Sequence, residues 1–488
     1  MALLTVKTTY GIVRGVEGEN GGNTRFLGIP FAKPPIGELR FAPPVQPDAW
    51  EGERLCDQFS CDCIQRGRGP GAETKPVENI SEDCLYLNVF TPANFVDEKL
   101  PVMFWIYGGG FGGGRASDPE FDGDAINAEG AILVTFNYRC GPLGFFALPE
   151  LDEKHGGSKN LGLLDQIMAL KWVKENISAF GGDPEKVMVF GQSAGGISTR
   201  MLLTSPAAKG LFSRAAIHSG GGLNEADPVR PKDEFTGICK KCMEYLGWTY
   251  EDIMTRDAEE INAALDGAAR ATVPGHAVGY FQPFVDGYSL TDVPGKLVKE
   301  GKYADIPILS GTVAGDAWMF SRLVRDQLND NVNYFRGFSF SPELAWAIWN
   351  NRCGRTPIYT YYMDRKQPEG RGHSMQRNGP PPFGATTPHS SDIAYVFGTL
   401  GKRNSEYKEF DYELSRVMLR YWVNFAQTGD PNGKGVPDWP QYTEKTPLTM
   451  HFAEEYYKAE DIIFNGEERA ILEHTILHPG MLDTAEGL

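Results

Sequence analysis

The sequence predicts an α/β protein with a mostly parallel sheet covered by helices on both faces. Three observations carry this. Unbroken apolar runs such as "PVMFWI", "AILVTF" and "KVMVFG" end in glycine or turn residues, as buried strands do. Between residues 162 and 180, "GLLDQIMALKWVKENISAF" spaces Leu163, Ile167, Leu170 and Val173 along one helical face. Strands and helices of these kinds then alternate along the chain.

The elements follow in order. The N-terminal third carries short β-like runs, "LLTVKTTYGIVRGV", "TRFLGIPFA" and "LYLNVF". "RAAIHSG", "IPILSG" and "PIYTYYM" predict further strands, with a helix near 411–427 and a strand near 446–452. The stretch 221–300 is polar, helix-prone and acidic, which predicts a helical insertion or cap. The stretch 364–388 is dense in proline, glycine and charge and predicts a loop. No internal repeat interrupts this pattern, so residues 1–488 are expected to form one large domain with the insertion inside it.

Composition removes several functions. The 488 residues carry 64 acidic and 47 basic side chains, a net charge of −17. That excess speaks against nucleic acid as a partner, which needs clustered Lys and Arg. No run approaches the ~18 apolar residues of a membrane span. The start, "MALLTVKTTYGIVRG", lacks a basic leader region, so the expected location is the cytoplasm. A leader removed beforehand would leave no trace. Cys239 and Cys242 have C-x-x-C spacing, but no second pair completes a zinc site. Two ordinary helical thiols, and no metal or other cofactor, are expected.

The chemistry rests on two glycine-rich turns. "YGGGFGGG" (107–114) has glycines 108, 110 and 113 at G-x-G-x-x-G spacing, a dinucleotide-binding pattern. It also reads as a loop whose backbone N–H groups receive an oxyanion. The first reading needs a helix after Gly113, yet "GRASDPEFDG" follows, and over a hundred residues precede the motif. Downstream, Gly191, Ser193 and Gly195 satisfy G-x-S-x-G between a buried strand and a helix-prone run. Such a turn holds a serine hydroxyl at the sheet's carboxyl end and aims a helix N-terminus at it. With that turn present, the oxyanion reading prevails, with Gly109, Gly110 and Ala194 as donors.

A serine nucleophile needs a base. In the order serine, acid, histidine, His155 is excluded. His218 reads as a core residue of a strand, and His451, His474 and His478 lie late. His389 ends the 364–388 loop just before "SSDIAYVFG"; His373 and His276 are the alternatives on position alone. Asp316, in "TVAGDAWMF" after the strand "IPILSG", is one of many carboxylates in the interval that could orient the imidazole.

At these residues the sequence resembles the type-B carboxylesterase/cholinesterase family of α/β-hydrolases. "GIPFAKPPIGELRFAPP", "SEDCLYLNVFTP", "NYRCGPLGFF", "GQSAGG", "FQPFVDG" and "FAQTGDPN" echo family signatures in family order, over nearly the whole chain. The resemblance implies the α/β-hydrolase fold and a small-molecule ester as substrate, hydrolysed through an acyl-enzyme. It implies Ser193 as nucleophile, His389 as base and Asp316 as acid, with oxyanion donors at Gly109, Gly110 and Ala194. It also matches Cys63 and Cys84 to a disulfide of secreted relatives; in a reducing cytoplasm the pair would stay thiols. Two departures stand out. The family acid is usually glutamate, so Asp316 requires an inward backbone or a looser pair. Gln192 stands where many relatives have glutamate, which removes a negative charge beside the serine and should lower any preference for cationic substrates. Rival readings are a non-catalytic binding module, an amidase, a carbamate hydrolase or a lipase.

Overall fold

The computed structural model describes residues 3–19, 21–65, 78–157, 159–223, 229–273, 280–316, 332–356, 358–368, 387–402 and 406–477. Its centre is an eleven-stranded sheet. In chain order the strands are β1 (Val16–Glu17), β2 (Thr24–Pro30), β3 (Tyr86–Thr91), β4 (Leu100–Ile106), β5 (Ile132–Phe136) and β6 (Gly182–Gln192). They continue with β7 (Arg214–His218), β8 (Ile308–Val313), β9 (Ile358–Met363), β10 (Thr449–Phe452) and β11 (Tyr457–Glu460). Across the sheet the order is β11-β10-β9-β8-β7-β6-β4-β5-β3-β2-β1. The strands from β5 to β10 pair in parallel, and antiparallel pairings flank them on both sides.

Every residue of β5, β8 and β9 is buried, which is why these segments are apolar without alternation. The first of the N-terminal runs behaves differently. Thr5–Lys7 pairs with Ile12–Arg14, which in turn pairs with Glu53–Leu55, in a separate three-stranded sheet. The connection order reverses at β4: the chain passes from β4 to β5 on one side and returns to β6 on the other. β4 and β6 therefore lie side by side, and the segments leaving their carboxyl ends sit at this switch point. Ligands of open α/β sheets bind at such switch points.

The expected amphipathic helix is α1 (Leu161–Asn176), but it is buried nearly all round, Asp165 and Gln166 included. The single apolar face read from spacing is thus too narrow a description. Arg139 explains the buried charge. Its Nε and Nη2 donate to the two Asp165 carboxylate oxygens at 2.9 and 2.8 Å, and Nη1 donates to the Ala42 carbonyl at 2.8 Å. Gln166 Nε2 donates to Ser198 Oγ at 3.0 Å on α2 (Ala194–Thr204), tying the two helices together.

The stretch expected to be a helical insertion holds α3 (Lys232–Leu246), α4 (Tyr250–Thr255) and α5 (Ala258–Thr272). They close over a second apolar cluster that includes Phe235, Ile261 and Leu265 from these helices and Phe111 and Ala194 from the turns described below. Cys239 and Cys242 are buried thiols in that cluster. Among the described residues no group of three or more His, Cys, Asp or Glu is placed to hold a metal ion. None of the described helices is long and apolar enough to cross a membrane. Arg40 fastens the cap to the body: it pairs with Glu82 and donates to the carbonyls of Ile253, Met254 and Arg256 at the end of α4.

Two features predict measurable stability effects. Cys63 and Cys84 are joined by a disulfide closing a span of 21 residues. Reduction, or a double Cys→Ser variant, should lower unfolding free energy by about 3 kcal/mol in the chain-entropy account, read by denaturant titration. Glu343, on α6 (Val332–Arg352), is buried, and Arg200 of α2 is fully buried too. Burial and the nearby Asp316 carboxylate push the Glu343 carboxyl up to about 8, although Arg200 pulls the other way. A carboxyl raised in the folded state binds its proton more tightly there than in the unfolded chain. Its contribution is complete below its ordinary value of 4.5 and is lost as pH climbs from there to about 8. Glu343→Gln should therefore gain stability relative to the wild type as pH rises through that window.

Candidate active site

Only one residue, Ser193, separates β6 from α2. Its backbone lies at φ 57° and ψ −125°, a conformation that side chains rarely adopt. Its neighbours make the turn feasible. A Cβ on Gly195 would lie 1.9 Å from the Ile106 carbonyl oxygen, and one on Gly191 would lie 2.4 Å from that of Gly195. The strand, the turn and the helix can approach this closely only where those side chains are missing. The Ser193 N–H donates to the His218 carbonyl at 2.9 Å, and Ile197 N–H returns to the Ser193 carbonyl at 2.8 Å. Ser193 stays partly exposed while Gln192 and Ala194 on either side are buried.

The glycine loop lies directly against this turn. A Cβ on Gly108 would sit 2.6 Å from the Gln192 carbonyl and 3.0 Å from Ser193 Cβ. Gly109 and Gly110 have φ of 133° and 61°, and Phe111 follows at 59°. No helix opens after Gly113, which disposes of the dinucleotide reading. Gln65 braces the loop instead: it donates to the Gly114 carbonyl and accepts from the Gly114 N–H, both at 2.8 Å. Gln65 lies two residues beyond the bonded Cys63, so the disulfide anchors the segment that holds the loop. Ala194 N–H is the first amide of α2, one of the donors that a helix leaves without an internal partner.

Asp316 and His389 come together, both buried, with the imidazole Nδ1 donating to Asp316 Oδ1. The other carboxylate oxygen accepts from Thr312 Oγ1 and, at 3.0 Å, from the Val313 N–H. The aspartate reaches the ring from a segment that runs close to the one carrying His389. Gly315 N–H donates to the Thr387 carbonyl at 2.9 Å, and a Cβ there would lie 2.3 Å from that oxygen. The looser pair considered from sequence does not occur.

The Gln192 amide also lies against the ring, closer to Nε2 than to Nδ1. Gln192 Nε2 is 3.0 Å from His389 Nε2, and Ser390 Oγ donates to Gln192 Oε1 at 3.0 Å. Sequence reading noticed only the missing charge at position 192, because a contact between residues 192 and 389 leaves no local signal.

The other described histidines lie elsewhere or are engaged with other partners. His218 is fully buried, with Nδ1 2.9 Å from Asp392 Oδ2. His451 lies between Glu460 and Asp364 at 2.7 and 2.9 Å. His155 ends a short helix, and His474 lies on a helix spanning Gly466–Leu477. His276, His373 and His478 lie outside the described residues. Of the eight positive-φ residues other than glycine in the described chain, Phe111, Ser193, Ser219 and Ser390 surround this site. Strain is concentrated where the chemistry would occur.

Comparison with known proteins gives the family. The sequence model of the Carboxylesterase family matches residues 2–343 and 326–468. A para-nitrobenzyl esterase of Bacillus subtilis (strain 168) is 34% identical over 470 residues, covering 91% of this chain and 94% of its own. A cocaine esterase of Homo sapiens is 31% identical over 507 residues, covering 90% and 86%. A solved structure of a PNB esterase is 32% identical and covers 96% of this chain and 99% of its own, with a TM-score of 0.80. A likeness this long, in sequence and in structure alike, means that the chain belongs to the carboxylesterase family of the α/β-hydrolase fold, and hydrolyses carboxylic esters as a serine esterase.

Proposed function

We propose that Ser193 is the nucleophile, His389 the general base and Asp316 the acid that orients it. In the same reading, the N–H groups of Gly109, Gly110 and Ala194 receive the oxyanion. The observation that carries it is the bond from His389 Nδ1 to Asp316. It fixes the ring's proton on Nδ1 and leaves Nε2 as the acceptor, facing the residue next to Ser193. The Gln192 amide must yield Nε2 when the serine engages, a tightening that apo enzymes commonly defer until substrate binds.

Attack by Ser193 Oγ on the ester carbonyl transfers the hydroxyl proton to His389 Nε2. The carbonyl oxygen becomes anionic among the loop and helix amides, each worth ~10²–10³ in rate. His389 then gives the proton to the departing alcohol. Water then attacks the acyl carbon and surrenders a proton to the same nitrogen; as the bond to Ser193 Oγ breaks, His389 returns that proton to Oγ and the carboxylic acid leaves.

The preferred substrates are small to medium, fairly apolar esters. An apolar cluster containing Phe111 and Ala194 supports this, as does the neutral amide at position 192 where a cation would want a carboxylate. The matched relatives are named for para-nitrobenzyl and cocaine esters, so neutral nitrobenzyl and nitrophenyl esters are apt probes.

Ser193→Ala should fold normally and lose kcat by ~10⁴ or more, with no labelling by a fluorophosphonate. Retained turnover would remove the serine from the mechanism. Gly315→Ala must push the Asp316 and His389 backbones apart. It should lower kcat ~10–100-fold with KM little changed, as expected for misplacement on the scale of 1 Å. Neutral acetate to butyrate esters should be turned over faster than choline esters and far faster than the matching amides. Equal rates on amides would favour the amidase reading.

A further inference from the structure

One residue touches both halves of the catalytic apparatus. Gln192, His218, Gly311 and Tyr361 are register partners across β6, β7, β8 and β9, so they form one row at the carboxyl end of the sheet. The His218 carbonyl accepts the Ser193 N–H at 2.9 Å. A Cβ on Gly196 would lie 2.7 Å from the same oxygen, so the first turn of α2 rests on it. The His218 side chain points to the other half. Its Nδ1 meets Asp392 Oδ2 at 2.9 Å, and Asp392 lies three residues beyond His389. Tyr361 Oη donates to the same oxygen at 2.7 Å.

The direction of the imidazole bond is decided by a third group. Trp422 Nε1, a donor only, points at His218 Nε2 from 2.8 Å. Nε2 must therefore accept, the ring proton sits on Nδ1, and the ring donates to Asp392. Between His389 and Asp392 the chain is a tight turn, in which Ser391 N–H donates to the Pro388 carbonyl at 3.1 Å. Asp316 and Gln192 hold one end of this turn, and His218 and Tyr361 hold the other.

We propose that His218 is a positioning residue that sets the spacing between nucleophile and base, through its carbonyl on the Ser193 amide and its imidazole on Asp392. The inference rests on the assignment of Ser193 and His389 proposed above. A buried His–Asp pair that serves only stability makes a different prediction, and three variants separate the two.

His218→Asn keeps a donor where Nδ1 stands but leaves Trp422 without its acceptor. Its melting temperature should fall while kcat on para-nitrophenyl acetate stays within ~3-fold. His218→Leu loses the link, and kcat should fall ~10–100-fold with KM within ~3-fold. Should His218→Leu prevent folding by stranding the Asp392 charge, combining it with Asp392→Asn removes that charge and should show the same kcat loss. In a His389→Ala background, His218→Leu should cost less than 2-fold further, because it acts through the imidazole already gone. A full 10–100-fold loss in that background, or Asn and Leu variants whose kcat tracks melting temperature alone, overturns the proposal. So does wild-type kcat in His218→Leu. Near-normal activity of His389→Ala alone would instead overturn the base assignment.

Discussion

A chain leaving a buried strand and entering a helix after one residue must place that residue at an unfavourable backbone angle. Ser193 does so at φ 57°, and the rest of the site follows from it. The turn brings β6, α2 and the end of β4 so close that Gly191 and Gly195 have no room for a side chain. The same closeness presses the glycine loop onto the turn, with Gly108 against Ser193 Cβ. The first turn of α2 and the glycine loop thus both adjoin the residue that the proposed mechanism uses as nucleophile.

Holding that turn is the work of the scaffold. The sheet order reverses at β4, so β4 and β6 lie side by side with the glycine loop and the serine turn at their carboxyl ends. Gln65 and the Cys63–Cys84 bond brace the glycine loop from below. The cap helices cover an apolar cluster that reaches Phe111 and Ala194, and Arg40 fastens the cap to the body. Substitutions in these helices can therefore reach Phe111 and Ala194 through packing alone.

The acid shows how backbone and side chain compensate. An aspartate is one methylene shorter than the glutamate usual in the family. Here Gly315 lets the segment after β8 approach Thr387 until the carboxylate meets the ring. The exchange of side-chain length for backbone proximity ties Asp316 to a glycine next to it. A glutamate at 316 with Gly315 unchanged would be crowded, and the pair is best regarded as one unit.

By itself the sequence determined the elements and the chemistry that local pattern carries. Apolar runs of strand length, the G-x-S-x-G turn and the glycine loop are legible because each arises from neighbours within a few residues. The family resemblance supplied Asp316 and His389, which spacing alone left among alternatives. What only the tertiary structure decided involves contacts over long stretches of chain. Gln192 on His389, His218 on Asp392, Gln65 on Gly114 and Arg139 on Asp165 join residues 26 to 197 positions apart. Helical spacing could not reveal that α1 buries Asp165 and Gln166 as well as its apolar residues, because burial depends on what packs against the polar face. Periodicity reports the conformation of a segment, whereas the partners of its polar groups are set by how the segments meet.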